Sequence, residues 1–187
     1  MTYLPIQEPP NIEFGRKGSV ITVPNVISKD LANSLIEYAM GPKSGLHRRG
    51  SKSSGIIADF STCLIPLGNP IYDILAPVWK QVKGIVNPPL SFIELYELKI
   101  YNVDDRFDWH QDNKESVECN IGRKFNMIVQ LSEESDYVGG DLMLGEHYCA
   151  RQFGTALLFP AYHIHRVTPI KSGTRMSLIG HAWGPLY

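Results

Sequence analysis

After Asn87-Pro88-Pro89 the hydrophobic period of the chain changes from helical to alternating, and this change constrains the fold more than any other feature. From there to the end, short apolar-polar runs are separated by turn residues. Strands are expected at 90–101, 107–111, 123–132, 141–144, 148–153, 155–159, 163–170 and 174–183, with Gly139-Gly140, Gly154 and Ser172-Gly173 as turns. Many short strands with close turns imply a sandwich or a barrel. On this reading the sheet starts after residue 89, and the part before it is mainly helical. One helix is marked by Ser28 as cap, an apolar stripe of Leu31, Leu35, Ile36, Ala39 and Met40, and a stop at Gly41-Pro42. A second begins at Asn69-Pro70 and puts Ile71, Leu75, Val78, Trp79 and Val82 on one side, with Pro77 expected to kink or divide it.

Composition narrows the class. The 187 residues are 43% hydrophobic, and 18 Lys+Arg against 19 Asp+Glu give a formal charge of −1, which fits one soluble domain spanning 1–187, with helices and a leading strand in 1–89 and the strand-rich core in 90–187. A chain this long can bury roughly 70% of its unfolded surface. No apolar run approaches the roughly 20 residues that span a bilayer, and Met1 to Pro10 lacks a secretory layout, so the cytoplasm is the expected compartment. Near-neutral charge disfavours nucleic acid as a partner. Cys63, Cys119 and Cys149 are too few and too scattered for a disulfide framework or a thiolate zinc site. One basic stretch, Gly41 to Ala58 with Lys43, Arg48, Arg49 and Lys52, reads as a flexible Gly/Ser-rich loop, and Gly41–Gly55 is the candidate lid.

The chemistry concentrates in two segments. In FDWHQD, His110 and Asp112 are two apart, so on an extended backbone both leave the same face and can converge on one ion. In GTALLFPAYHIHRVTPIKSGTRMS, His165 follows a buried strand and a turn, and Arg175 comes ten residues later. Two imidazoles and a carboxylate with open positions are the ligand set of non-haem Fe(II) oxygenases. A planar, always-charged guanidinium suits a carboxylate better than a lysine does.

The stretches YNVDDRFDWHQD, the 128–144 run with its GGDL, and FP...H-x-V-x-P-I-x-x-G-x-R together resemble the 2-oxoglutarate and Fe(II)-dependent dioxygenases, within them the prolyl 4-hydroxylase-like branch. The resemblance implies a mainly β (α+β) chain built on a double-stranded β-helix, the cupin-like jelly roll, with flanking helices. It makes His110, Asp112 and His165 the catalytic iron ligands. Arg175 becomes the partner of the distal carboxylate of 2-oxoglutarate, Tyr101 a second contact and Ser177 a further donor. It implies Fe(II), 2-oxoglutarate and O2, with ascorbate as a candidate reductant. The implied reaction is hydroxylation of an unactivated C–H bond, with succinate and CO2 released, on a prolyl or other amino-acid side chain of a peptide or protein. Oxygenation of a small molecule or nucleic acid is the alternative, and a metal-binding, non-catalytic jelly roll or a hydrolase are the others. His163 has the parity of His165 but falls outside the H-x-V-x-P frame. His47, His147 and His181 read as ordinary polar residues, Trp109 as core behind the ligand face, and Asn126 and Trp183 as candidates to line the cavity.

Overall fold

The structure is a computed structural model, and it describes residues 13–14, 20–51, 56–85 and 89–186. Two helices carry the caps their sequences announce. Helix α1 (Lys29–Met40) starts where the Ser28 hydroxyl accepts the Leu31 N–H at 3.3 Å and buries Ala32, Leu35 and Ala39, while Met40 turns to solvent. Helix α2 (Ile71–Ile85) starts under Asn69, whose side chain accepts the Ile71 N–H at 3.0 Å. Its stripe of Ile71, Leu75, Val78, Trp79 and Val82 is buried as expected, each side chain contributing about 1.5–3 kcal/mol gross. Pro77 does not divide α2: Pro77 and Asp73, whose carbonyl it leaves without a partner, both lie on the exposed side where water can serve that oxygen.

The strands are β1 (Glu13–Phe14), β2 (Ile21–Val23), β3 (His47–Ser51), β4 (Ala58–Leu64), β5 (Phe92–Ile93), β6 (Glu97–Tyr101), β7 (Arg106–His110) and β8 (Glu115–Ser116). They continue as β9 (Ile121–Gln130), β10 (Tyr137–Gly139), β11 (Leu142–Leu144), β12 (His147–Tyr148), β13 (Ala156–Pro160), β14 (His165–Val167), β15 (Ile170–Gly173) and β16 (Arg175–Pro185). All but β10 and β15 join one curled sheet in the order β1-β2-β13-β9-β16-β6-β4-β7-β14-β11-β12, with β3 on β4, β5 on β16 and β8 on β9. Every pairing is antiparallel. The result is a double-stranded β-helix, mainly β, with two helices against one wall.

The sheet therefore begins before residue 90. Strands β1 to β4 belong to it, and β3 occupies the middle of the stretch read above as a flexible loop. Its HRRGS sequence has little strand propensity, so pairing with β4 and the bidentate ion pair of Arg48 with Asp105 hold it. Residues 52–55 of the candidate lid, with Lys52, lie outside the described residues.

Strand parity separates two cores. Leu98 and Ile100, Met127 and Val129, Ala156 and Leu158, Leu178 and Ala182 face the helices. Their neighbours Tyr101, Ile128, Leu157, Phe159 and Ile179 face the inside of the β-helix with Phe60, Leu142 and Val167. Gly180 is small because a Cβ there would sit 2.5 Å from the Tyr96 ring, whose hydroxyl accepts the Trp79 indole N–H at 2.9 Å and so ties α2 to the sheet.

Candidate metal and co-substrate site

Antiparallel pairing of β7 with β14 sets His165 directly opposite His110, with ring centroids 4.1 Å apart. Asp112 lies just past the end of β7, where its backbone N–H reaches the Ala161 carbonyl at 2.9 Å. One ligand atom from each of the three lies within 4.8 Å of the others, the one such cluster of three His, Cys, Asp or Glu side chains among the described residues. His165 Nε2 is 3.3 Å from Asp112 Oδ2, and His110 Nε2 is 3.8 Å from Oδ1.

Both imidazoles are aimed by the main chain. His110 Nδ1 donates to the Asp108 carbonyl at 2.7 Å and His165 Nδ1 to the His163 carbonyl at 2.9 Å. A carbonyl only accepts, so each ring keeps its proton on Nδ1 and turns the Nε2 lone pair to the cluster, as a metal ligand requires. Burial, reinforced by the neighbouring His165 and by Lys99, takes His110 down to about 4, so it is neutral and ready to ligate near pH 7. For Asp112 burial is the largest influence and works upward, but the neighbouring His165, His181 and Lys99 outweigh it and keep the carboxylate well below its ordinary range. The donor set fits a divalent first-row metal with vacant positions.

The same cavity continues to Arg175, which is 1% exposed. Its fork donates to Ser177 Oγ at 3.3 Å and to Gln130 Oε1 at 3.0 Å, the guanidinium lies over the Tyr101 ring at 5.5 Å, and Nε has no partner. Tyr101 is directly opposite Arg175 across β6 and β16, and burial pushes its phenol upward, so it is a donor at any working pH. No carboxylate of the described residues pairs with this buried cation. An unanswered guanidinium with a spare N–H, facing the cluster across an apolar cleft of Ile128, Leu142, Val167 and Ile179, fits a ligand carboxylate. Gly140 of GGDL makes this possible: it has φ +63°, and a Cβ would lie 3.2 Å from Arg175 Cδ and 2.3 Å from Ile170 Cδ1.

The six residues named from the sequence, His110, Asp112, His165, Arg175, Tyr101 and Ser177, thus all line one cavity. His163 does not; it is half-buried beside Tyr162 and supplies its carbonyl to His165. Trp109 is not core. A bulge opposite Arg166 turns both Phe107 and His110 inward and leaves Trp109 on the uncovered side of β7, half-buried with the Arg166 guanidinium 4.6 Å from its ring. Trp183 does not line the cavity either, because the register shift between Ala182 and Trp183 carries it away to stack on Phe92 and donate to Glu94 at 2.7 Å. Asn126 is fully buried and bonds Asp112, and His181, read above as an ordinary polar residue, is buried behind it.

Three residues escaped the sequence reading. Lys99 lines the cavity, 3.8 Å from Glu97 and over the Phe60 and Phe107 rings at 4.7 and 5.2 Å. Gln130 binds Arg175, and His181 binds Asn126. Parity contained the signal: Lys99 is two before Tyr101, Gln130 four after Asn126, and His181 six after Arg175.

No helix of the described residues is long and apolar enough to cross a membrane. Among curated proteins, a PKHD-type hydroxylase of Psychrobacter sp. is 29% identical over 100 residues, covering 51% of this chain and 37% of its own length. A PKHD-type hydroxylase of Shewanella sp. is 26% identical over 174 residues, covering 83% of this chain and 74% of its own. The chain thus spans little more than a third of the first relative and about three quarters of the second. Among solved structures, a prolyl-4-hydroxylase of Pseudomonas putida superposes with a TM-score of 0.67 at 17% identity, over 91% of this chain and 94% of that one, and so shares the fold. Residues 96–183, from the strand of Lys99 and Tyr101 through the strand of Arg175, match the family model of the 2OG-Fe(II) oxygenase superfamily.

Proposed function

We propose that this chain is an Fe(II)- and 2-oxoglutarate-dependent dioxygenase that hydroxylates an unactivated C–H bond of a prolyl or other amino-acid side chain in a peptide or protein. The observation that carries the reading is Arg175, a buried cation with no carboxylate partner among the described residues, in the same cavity as the His110, Asp112 and His165 cluster. Hydrolysis at a metal does not itself require such a residue, whereas a dicarboxylate co-substrate held by the metal at one end needs an anchor at the other.

On this reading His110 Nε2, His165 Nε2 and Asp112 hold iron, and iron with 2-oxoglutarate supplies the oxygen-activating chemistry, succinate and CO2 being the co-products. The protein contributes placement. Arg175 takes the distal carboxylate, exchanging Gln130 or Ser177 for it or using the spare Nε–H, and Tyr101 and Ser177 stand beside it as hydrogen-bonding groups. Ile128, Leu142, Val167 and Ile179 keep water from the space between anchor and metal, which strengthens each charged contact there. The names of the relatives, PKHD-type hydroxylase and prolyl-4-hydroxylase, support an amino-acid side chain as the target.

The test is incubation of the purified chain with Fe(II), O2, 2-oxoglutarate and a proline-containing peptide library, with and without ascorbate. Succinate is followed together with the mass of each peptide, against His110→Ala as control. The reading expects succinate and a peptide heavier by one oxygen atom. Absence of Fe(II)-dependent 2-oxoglutarate binding refutes the co-substrate assignment, and succinate formation without any peptide oxidation refutes the peptide assignment.

A further inference from the structure

The three members of the cluster are not held alike. Each imidazole is locked by a main-chain carbonyl, but the Asp112 carboxylate can turn about its last bond and present a metal with one oxygen or two. What holds it is Asn126, whose Nδ2 donates to Asp112 Oδ2 at 2.9 Å. A carboxylate accepts and cannot donate, so the Asn126 amide has one permitted orientation and must turn Oδ1 the other way. There it meets His181 Nδ1 at 2.9 Å, which must donate. The pair is set by the sheet: His181 is directly opposite Asn126 across β16 and β9. Asn126 has no exposed surface and His181 is 5% exposed, so neither has water as a substitute partner. The line His181, Asn126, Asp112 is therefore a buried chain of hydrogen bonds in which every direction is fixed. Burial takes His181 down to about 4, so the chain runs with a neutral imidazole and adds no charge beside the metal ligands.

We infer that Asn126, kept in one amide orientation by His181, is the positioning residue for Asp112: it fixes the rotation of the carboxylate and keeps it a one-oxygen ligand, so that positions on the metal stay vacant. The inference rests on the metal reading above. An amide hydrogen bond on Oδ2 competes with a metal for that oxygen. Without it the carboxylate can turn until both oxygens reach the ion and fill a position that co-substrate or dioxygen needs. The metal centre then has two kinds of support, main chain for the histidines and this side-chain line for the acid.

The full chain is loaded anaerobically with Co(II), and its visible absorption and affinity are recorded for the wild type, Asn126→Leu, His181→Phe and His181→Gln. Asn126→Leu is expected to weaken Co(II) by about 10–100-fold and to change the absorption bands, which report coordination number. His181→Phe is expected to reproduce the band change with a smaller loss of affinity, and His181→Gln, which can still donate to Asn126, to restore the wild-type spectrum. A folded Asn126→Leu with unchanged spectrum and affinity overturns the inference. Should that variant fail to fold, identical wild-type spectra from His181→Phe and His181→Gln overturn it instead. A wild-type chain that takes up no Co(II) refutes the metal centre itself, and this outcome is distinct from any difference among the variants.

Discussion

Replacing Arg175 with Met separates what the guanidinium does for the fold from what it does for a ligand. In the ligand-free chain Arg175 is a buried cation with two polar partners, an aromatic face and a bare Nε. Burying an ion costs several kcal/mol. Two hydrogen bonds to a charged group return about 1.5–3 kcal/mol each, and the unpaired N–H takes away about 1–3 kcal/mol. These contributions nearly cancel. Met is similar in length and needs no partner, though it strands the oxygen of Gln130 at about 1–3 kcal/mol. Arg175→Met without ligand should therefore stay within about 2 kcal/mol of the wild type, a Tm change of less than about 8 °C in either direction.

With ligand the two proteins should diverge. 2-Oxoglutarate at a hundred times its Kd stabilises the wild type by about 2.7 kcal/mol, or roughly 5–11 °C. Losing a buried ion pair removes about 3 kcal/mol of binding, more than a hundredfold in affinity, so the same concentration should stabilise the variant by less than about 0.4 kcal/mol. Thermal unfolding with Mn(II), with and without 2-oxoglutarate, measures both quantities. A variant that keeps the wild-type ligand shift refutes Arg175 as the anchor. One that loses 4 kcal/mol or more without ligand shows that the arginine is a structural element and that its missing counter-ion carries no message.

Further outcomes follow from other parts of the structure. His165→Ala should abolish tight metal binding while His163→Ala, whose Nδ1 partner role for His165 is played by backbone, should retain it; metal analysis after anaerobic purification compares them. Gly180→Ala should lose about 1–3 kcal/mol, read as a Tm fall of roughly 2–12 °C, because its new methyl would stand 2.5 Å from Tyr96; an unchanged Tm would show that the Tyr96 and Trp79 packing is loose. Ser28→Ala should lose about 1 kcal/mol through the Leu31 N–H, measurable by urea unfolding. His181, taken by burial from 6.5 down to about 4, is protonated more readily in the unfolded chain. Its stabilising effect is full above about pH 6.5 and is lost as pH falls towards 4, by about 3 kcal/mol, and His181→Phe should flatten that part of the stability profile.

How much of this was legible in the sequence depends on whether strand parity survives. Where β6 and β16 run regularly, Tyr101, Arg175 and Ser177 face inward as counting by twos requires, and the two-residue step from His110 to Asp112 also holds. Counting fails at bulges. The shift on β7 turns Phe107 to the same side as His110, and the shift after Ala182 carries Trp183 away from the cavity. It also fails where pairing replaces propensity: HRRGS looks like a loop and is a strand because β4 lies beside it. His181 and Asn126 are 55 positions apart, and only the register of two strands makes them partners. A reading restricted to local spacing has no access to that fact.

The way the two histidines are aimed bears on how such a centre tolerates mutation. Each ring is oriented by the carbonyl of the residue two positions earlier, Asp108 for His110 and His163 for His165. A carbonyl belongs to every amino acid, so a change of side chain at 108 or 163 leaves in place the group that aims each imidazole. The acid ligand has no such insurance, since its support is a specific amide and a specific imidazole on two other strands. Across variants of this chain, substitutions at 108 and 163 should therefore leave metal binding intact whatever they do to stability, whereas positions 126 and 181 should change together or not at all.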